Sequence, residues 1–197
     1  MVAVPALLVL VLLLNFFSLG TSRMSAVINA SAAQGVALGL LALLVHEHIS
    51  FETAVVGVGA VAIKGLLIPA MLFRAMRDTA VRREVEPFVG YVPSLLLCAA
   101  ATGAALVFSS TLPLAPQHQE SLMIPASLAT VLSGFLLLTT RKKAITQVVG
   151  YLILENGIYI MGLTMIDALP FLVEVGVLLD LFVAIFVMGI ILNHISR

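Results

Sequence analysis

Apolar runs of about twenty residues, separated by short polar breaks, recur along the whole of this chain. No other feature limits the possible folds so strongly. At 1.5 Å of rise per residue, about twenty residues make a helix that crosses a hydrocarbon core about 30 Å thick. No water is present there to satisfy backbone N–H and C=O groups, so a spanning run of this kind must satisfy them within its own helix. The composition agrees. Hydrophobic residues make up 61% of the chain and charged residues 10%, against roughly 25% charged in soluble domains, and the mean hydropathy is +1.18. The chain reads as an all-α, polytopic membrane protein.

Seven runs stand out, at about 2–20, 25–45, 53–73, 88–109, 121–140, 144–166 and 170–194. "LPLAPQHQE" is a loop by its prolines and polar residues, and a tight turn around Asp167 and Pro170 ends the sixth run. The first run has no basic residue before it and exceeds a usual signal-peptide core, so it reads as a retained span. Basic residues test the count. Arg23, then Arg74, Arg77, Arg82 and Arg83, then Arg141, Lys142 and Lys143, and finally Arg197 all fall on one side of a seven-span arrangement. Those are nine of the ten Lys and Arg residues, and six spans would scatter them over both faces. Cytoplasmic loops are the Lys- and Arg-rich ones, which puts the N-terminus outside and the C-terminus in the cytoplasm. Residues 1–197 then form a single integral membrane domain, with four spans in 1–110 and three in 121–197. The longest break, about Arg74 to Pro87, is a short basic loop.

Ionisable residues inside the runs are the candidates for function. The tenth basic residue, Lys64, lies near the middle of the third run, Glu155 near the middle of the sixth and Asp180 near the middle of the seventh. All three therefore sit close to the bilayer centre, and Glu174 lies about 9 Å nearer the outer side by helical rise. One such residue at a helix centre costs about 2.5–3.5 kcal/mol. Groups this costly face the protein interior and pair with each other or with water. Gly57 and Ala60 share the Lys64 face, and Gly176 and Ala184 flank Asp180; small residues of this kind allow close helix approach. Pro69 lacks a backbone donor and clashes with the Gly65 carbonyl, so the third helix is expected to break or loosen beside Lys64. Broken helices at membrane depth mark ion pathways in transporters. Two readings follow: a static buried ion pair that fixes helix contacts, or a proton relay among Lys64, Glu155, Asp180 and Glu174. Burial disfavours charged forms and pairing favours them, and that balance makes such groups switchable.

Other polar residues carry weaker signals. Asn29, Ser31 and Gln34 suit interhelical hydrogen bonds. Asn156 adjoins Glu155, while Tyr151 and Tyr159 lie one turn either side of it, suited to hydrogen bonding or to ordinary packing. His46 and His48, with Glu47 between them, are two residues apart and share no helix face, so they read as a surface pair rather than a metal site. His118 and His194 are read the same way. The single cysteine, Cys98, excludes an internal disulfide and a thiolate-held iron–sulfur cluster. No metal site, Ser-His-Asp set, phosphate loop, nucleotide motif or nucleic-acid patch is visible, so no catalytic residue is assigned.

"GYLILENG" (Gly150 to Gly157) followed by "LVEVGVLLDLFVAIFVMGIIL" (Leu172 to Leu192) resembles hydrogenase-4 component E, as does "IKGLLIP" (Ile63 to Pro69). That family is a membrane subunit of group 4 nickel–iron hydrogenase and formate hydrogenlyase complexes. The last three runs are also similar to the K subunit of respiratory complex I, which carries one glutamate in each of two adjacent helices along a lateral proton path. Glu155 matches the first glutamate. Asp180 is close in register to the second but is an aspartate, and Glu174 is an extra acid. The resemblance implies antiporter-like membrane partners and a cytoplasmic hydrogenase-like arm holding the nickel–iron and iron–sulfur centres, with no cofactor in this chain. It implies a bacterial or archaeal cytoplasmic membrane as the location. The expected function is a noncatalytic subunit of a proton-translocating oxidoreductase complex; the alternatives are a structural scaffold in that complex and a small antiporter acting alone.

Overall fold

The computed structural model describes residues 3–45, 58–59, 61–78, 87–112 and 121–164, and the account that follows concerns these. They form α1 (Ala3–Gly20), α2 (Met24–Val45), a π-helical segment (Val61–Leu67) running directly into α3 (Ile68–Asp78), α4 (Tyr91–Thr111), α5 (Met123–Thr140) and α6 (Ala144–Leu163). No strand occurs among the described residues. Five helices, α1, α2, α4, α5 and α6, are long and apolar enough to cross a membrane. The described part of the chain is thus all-helical, and its long apolar helices have the length and composition of membrane spans. The expected seventh run, 170–194, lies outside the described residues.

Local sequence explains the element ends. Pro5, Pro93 and Pro125 fall in the first turns of α1, α4 and α5, where the missing N–H has no intrahelical partner to lose. The fourth run begins at Tyr91 rather than 88, because Phe88 is used otherwise. Its backbone N–H donates to the Thr140 carbonyl at 2.8 Å, satisfying an orphan acceptor at the end of α5. The third run extends beyond the expected 73 to Asp78, which puts Arg74 and Arg77 on a helix and not in a loop. Ile68, Leu72 and Ala75 are buried at helical spacing while both arginines are exposed. The amphipathic pattern therefore carries the helix past the end of its apolar run.

α5 and α6 form the tightest pair, and α1 and α2 pack against it. α4 lies against α1 and α5, while the π segment and α3 lie against α2. Three glycines set the α5–α6 approach. A Cβ on Gly150 would stand 2.5 Å from the Leu138 amide nitrogen, and one on Gly157 would stand 2.5 Å from that of Val131. A Cβ on Gly134 would meet the Leu154 backbone. Lipid tails are as apolar as leucine, so helix association in a membrane rests on such close packing and on interhelical hydrogen bonds. Three hydroxyls donate within their own helices: Thr130 to Ala126 O, Ser133 to Ala129 O and Thr102 to Cys98 O, at 2.7–2.8 Å. Val92, Leu96, Val107 and Phe108 on α4, and Leu13 and Phe17 on α1, point outward as an apolar belt suited to lipid.

Arg141, counted among the loop charges, is instead buried at 1% exposure. Its guanidinium donates to Leu19 O at 2.7 Å, Val89 O at 2.9 Å and Ser94 Oγ at 3.3 Å, and lies 4.9 Å from the Tyr91 ring centroid. Leu19 is in the last turn of α1, where carbonyls lack partners and the helix dipole is negative. One planar cation thus ties the ends of α1, α4 and α5 together.

Alanine at Gly134, Gly150 or Gly157 is expected to cost about 1–3 kcal/mol through overpacking, seen as a lower midpoint of thermal unfolding in detergent. Gly103 faces open space, and Gly103→Ala is expected to hold or gain up to about 1 kcal/mol. Equal effects at all four positions would contradict this packing.

Candidate functional site

Two apolar clusters divide the bundle along its length. One gathers Leu19, Ile28, Leu72, Leu137 and Ile153; the other gathers Val11, Leu38, Ala126 and Ile160. Each of α1, α2, α5 and α6 contributes to both, and between the two contributions each carries a buried polar residue. These are Asn15 on α1, Gln34 on α2, Thr130 on α5, and Glu155 with Asn156 on α6. A polar layer is thereby enclosed by apolar layers above and below, and Lys64 enters it from the π segment.

Lys64 Nζ lies 2.9 Å from Glu155 Oε1, with the two residues 8% and 2% exposed. The same ammonium donates to Asn156 Oδ1 at 3.5 Å and stands 5.4 Å from the Tyr159 ring centroid. Carboxylate, amide oxygen and aromatic face are all groups that favour a cation. Taking two charges out of water is costly, and their mutual attraction in this low-dielectric setting offsets that cost.

The expected disturbance beside Pro69 takes the form of the π segment. An α-helix would ask the Pro69 nitrogen to donate to the Gly65 carbonyl, which it cannot do. Lys64 sits within the wider turn, one residue before Gly65, and π-turns of this kind are frequent at functional sites. Glycines let this segment touch α2. A Cβ on Gly35 would be 2.6 Å from Lys64 Cβ, and one on Gly65 would be 2.8 Å from Val36 Cγ2. The lysine backbone is pressed against α2 while its side chain crosses to α6.

From Lys64 the hydrogen bonds continue across the bundle. Asn156 Nδ2 donates to Gln34 Oε1 at 3.3 Å. Gln34 Nε2 donates to Asn15 Oδ1 at 2.8 Å and to Val11 O at 3.2 Å. Asn15 Nδ2 donates to Thr130 Oγ1 at 2.9 Å. The layer joins α1, α2, the π segment, α5 and α6. Chemically it holds a buried charge pair within a row of amides, and no group of three metal-ligating residues is present among the described residues.

Of the residues singled out in the sequence, the structure brings together Lys64, Glu155, Asn156, Gln34 and Tyr159, with Pro69 at the helix break. Tyr151 packs against the first apolar cluster. Asn29 is exposed, a correction to its expected interhelical role, because it lies on the outward face of α2; Ser31 is buried. Asp180, Glu174, Gly176, Ala184, Gly57, Ala60 and all four histidines lie outside the described residues. Sequence reasoning missed Asn15, Thr130, Gly35 and Arg141. Asn15 was visible as the one amide within "LLLNFF", but Thr130 and Gly35 resemble many residues that satisfy themselves or merely pack.

The chain is similar to the uncharacterized protein Rv0085 of Mycobacterium tuberculosis, with 30% identity over 174 residues that cover 87% of this chain and 79% of that protein. No family model matches the chain, and no solved structure matches it.

Lys64→Met or Glu155→Leu alone leaves an uncompensated buried partner and is expected to cost about 3–5 kcal/mol. The double variant is expected to lose far less than the sum, which unfolding in detergent with a double-mutant cycle measures. Additive losses would mean that the two side chains do not act on each other.

Proposed function

The chain belongs to the family of the mycobacterial protein Rv0085, and we propose that it is a membrane-arm subunit of a complex I-related oxidoreductase resembling hydrogenase-4 and formate hydrogenlyase. In this reading its buried charges carry part of a proton path between a peripheral redox reaction and antiporter-like neighbours. The observation that carries the proposal is the Lys64–Glu155 pair, enclosed at 2.9 Å within an apolar bundle. An ionisable pair at that depth is costly, and retention of such groups in membrane helices is the usual mark of an ion or proton path. The resemblance of "GYLILENG" and "IKGLLIP" to hydrogenase-4 component E falls on these same two residues.

The fuller reading has seven spans, an outer N-terminus and a cytoplasmic C-terminus in a bacterial or archaeal cytoplasmic membrane. Asp180 and Glu174 extend the relay from the last span. Nickel–iron and iron–sulfur centres belong to partner subunits of the cytoplasmic arm, and this chain supplies no catalytic group. Moving one charge through 100 mV is worth about 2.3 kcal/mol. A change of partner at a buried ion pair is of that order, so it suffices to link proton movement to a neighbour's conformational change.

A second reading, a scaffold that only seats neighbouring subunits, has one observation in its favour: the pair is in direct contact, as a static specificity device requires. Variants separate the two. Glu155→Gln and Asp180→Asn are expected to leave the complex assembled while proton pumping into vesicles falls. Pumping that survives both substitutions would refute the relay. Loss of assembly with either would favour the scaffold.

A further inference from the structure

The surface charge of the bundle is one-sided. Among the described side chains, the exposed ionisable groups are Arg23, Arg74, Arg77, Lys142 and Lys143, and every one is basic. Arg23 lies in the turn between α1 and α2, and the two lysines lie in the turn between α5 and α6. Leu19, Ala75 and Ile145 share one apolar cluster, which brings the end of α3, with Arg74 and Arg77, to the same end of the bundle. Asp78 ends α3, and the helix still carries a net positive charge. By sequence, the residues that follow cancel, with Arg82 and Arg83 against Glu84 and Glu86. Arg141 shows how this chain uses an arginine for itself, with three protein acceptors. The side chains of Arg23, Arg74 and Arg77 make no hydrogen bond or ion pair of that kind among the described residues.

α3 joins its arginines to an apolar strip. Ile68, Leu72 and Ala75 are buried, and the outward face of the π segment and α3 reads Leu66, Leu67, Ala70, Arg74 and Arg77. That face is apolar at one end and cationic at the other. Arg74 and Arg77 lie ten and thirteen residues beyond Lys64. With the Lys64 layer at the bilayer centre, helical rise puts them about 15 and 20 Å away, at the edge of a core whose half-thickness is about 15 Å. The guanidinium groups reach headgroup level while the leucines lie among acyl chains. Three residues apart, the two arginines are neighbours on the helix surface, and a guanidinium fork matches phosphate oxygens in pairs. We propose that this face binds one anionic phospholipid of the surrounding leaflet, its phosphate on Arg74 and Arg77 and an acyl chain along Ala70, Leu67 and Leu66. A free phosphate would use the arginines and leave the leucines idle. A zwitterionic lipid would fit the leucines but bring its own cation to the arginines. Only a lipid of net negative charge matches both ends, and basic residues at helix ends are the usual recognition element for such headgroups. Lys142 is engaged elsewhere, its Nζ standing 5.2 Å from the Phe88 ring centroid. The proposal requires the helices to stand in a bilayer and does not depend on proton handling.

Native mass spectrometry of the full chain in detergent, titrated with phosphatidylglycerol or with phosphatidylcholine, counts bound lipids one by one and gives the affinity of the first. Phosphatidylglycerol is expected to bind first and more tightly. Arg74→Gln with Arg77→Gln is expected to weaken it about fivefold for each arginine removed, down to the level of phosphatidylcholine. Lys142→Gln with Lys143→Gln removes the same charge from the same end and is expected to leave that first affinity unchanged. Equal affinity for the two lipids in the unaltered chain overturns the proposal. Equal losses in the arginine and lysine pairs also overturn it, since they would mean a diffuse field with no site. Millimolar inorganic phosphate is expected to leave the lipid bound, and displacement by it would make the site one for a free anion and overturn the lipid assignment. Both arginines are exposed, so the unfolding midpoint is expected to hold; if the double variant does not fold, Arg77→Gln alone is expected to weaken phosphatidylglycerol about fivefold, and no change overturns the proposal. The readout is lipid affinity, so it stands or falls apart from any result on pumping.

Discussion

A lysine and a glutamate brought together inside an apolar bundle are what the rest of this structure has to accommodate. Lys64 and Glu155 approach to 2.9 Å from different segments and are almost fully enclosed. Either charge alone in hydrocarbon is costly, so each requires the other. The helices that carry them are fixed in relative rotation by that requirement. An apolar cluster on each side completes the enclosure, and the remaining polar residues of the layer, Asn15, Gln34, Thr130 and Asn156, align with the pair rather than with lipid.

Close approach is what makes the pairing reachable. Gly35 and Gly65 bring the π segment against α2 so nearly that a methyl group at either position would meet its neighbour. Gly134, Gly150 and Gly157 do the same between α5 and α6, which sets the helix bearing Glu155. Pro69 opens the turn that carries Lys64. Backbone contact, a widened turn and a buried ion pair are separate devices, and here they serve one arrangement. Arg141 works apart from them at the end of the bundle, where its fork holds carbonyls of two other segments together.

Much of this could be read from the sequence, for reasons that differ by residue. Apolar runs announce spanning helices because the bilayer leaves the backbone few alternatives. Lys64 and Glu155 stood out because charge at such depth is expensive, and Pro69 because a missing donor must disturb a helix. The end of the third run was misjudged, since hydropathy sees polarity and α3 continues as an amphipathic helix through Arg74 and Arg77. Arg141 looked like a loop charge because its acceptors, Leu19 O and Val89 O, are backbone atoms from distant segments that no side-chain pattern reveals. Thr130 was hidden for a related reason: a threonine in a helix ordinarily bonds its own backbone, as this one does to Ala126 O, and its second role depends on Asn15 arriving from α1. The order of donors and acceptors among Asn156, Gln34 and Asn15 was equally illegible, since it depends on Val11 O and Thr130 being brought up by other helices.

The central claim is the contact between Lys64 and Glu155 in a lipid bilayer, and its most direct measurement is a solid-state NMR distance. Nitrogen-15 on the Lys64 ammonium and carbon-13 on the glutamate carboxyls would be observed in a chain with Lys142 and Lys143 replaced by arginine. A strong dipolar coupling, as hydrogen-bond contact at 2.9 Å requires, that disappears in Glu155→Gln is the result this account expects. A lysine nitrogen with no carboxyl carbon near it, or one whose coupling survives the loss of Glu155, would contradict it.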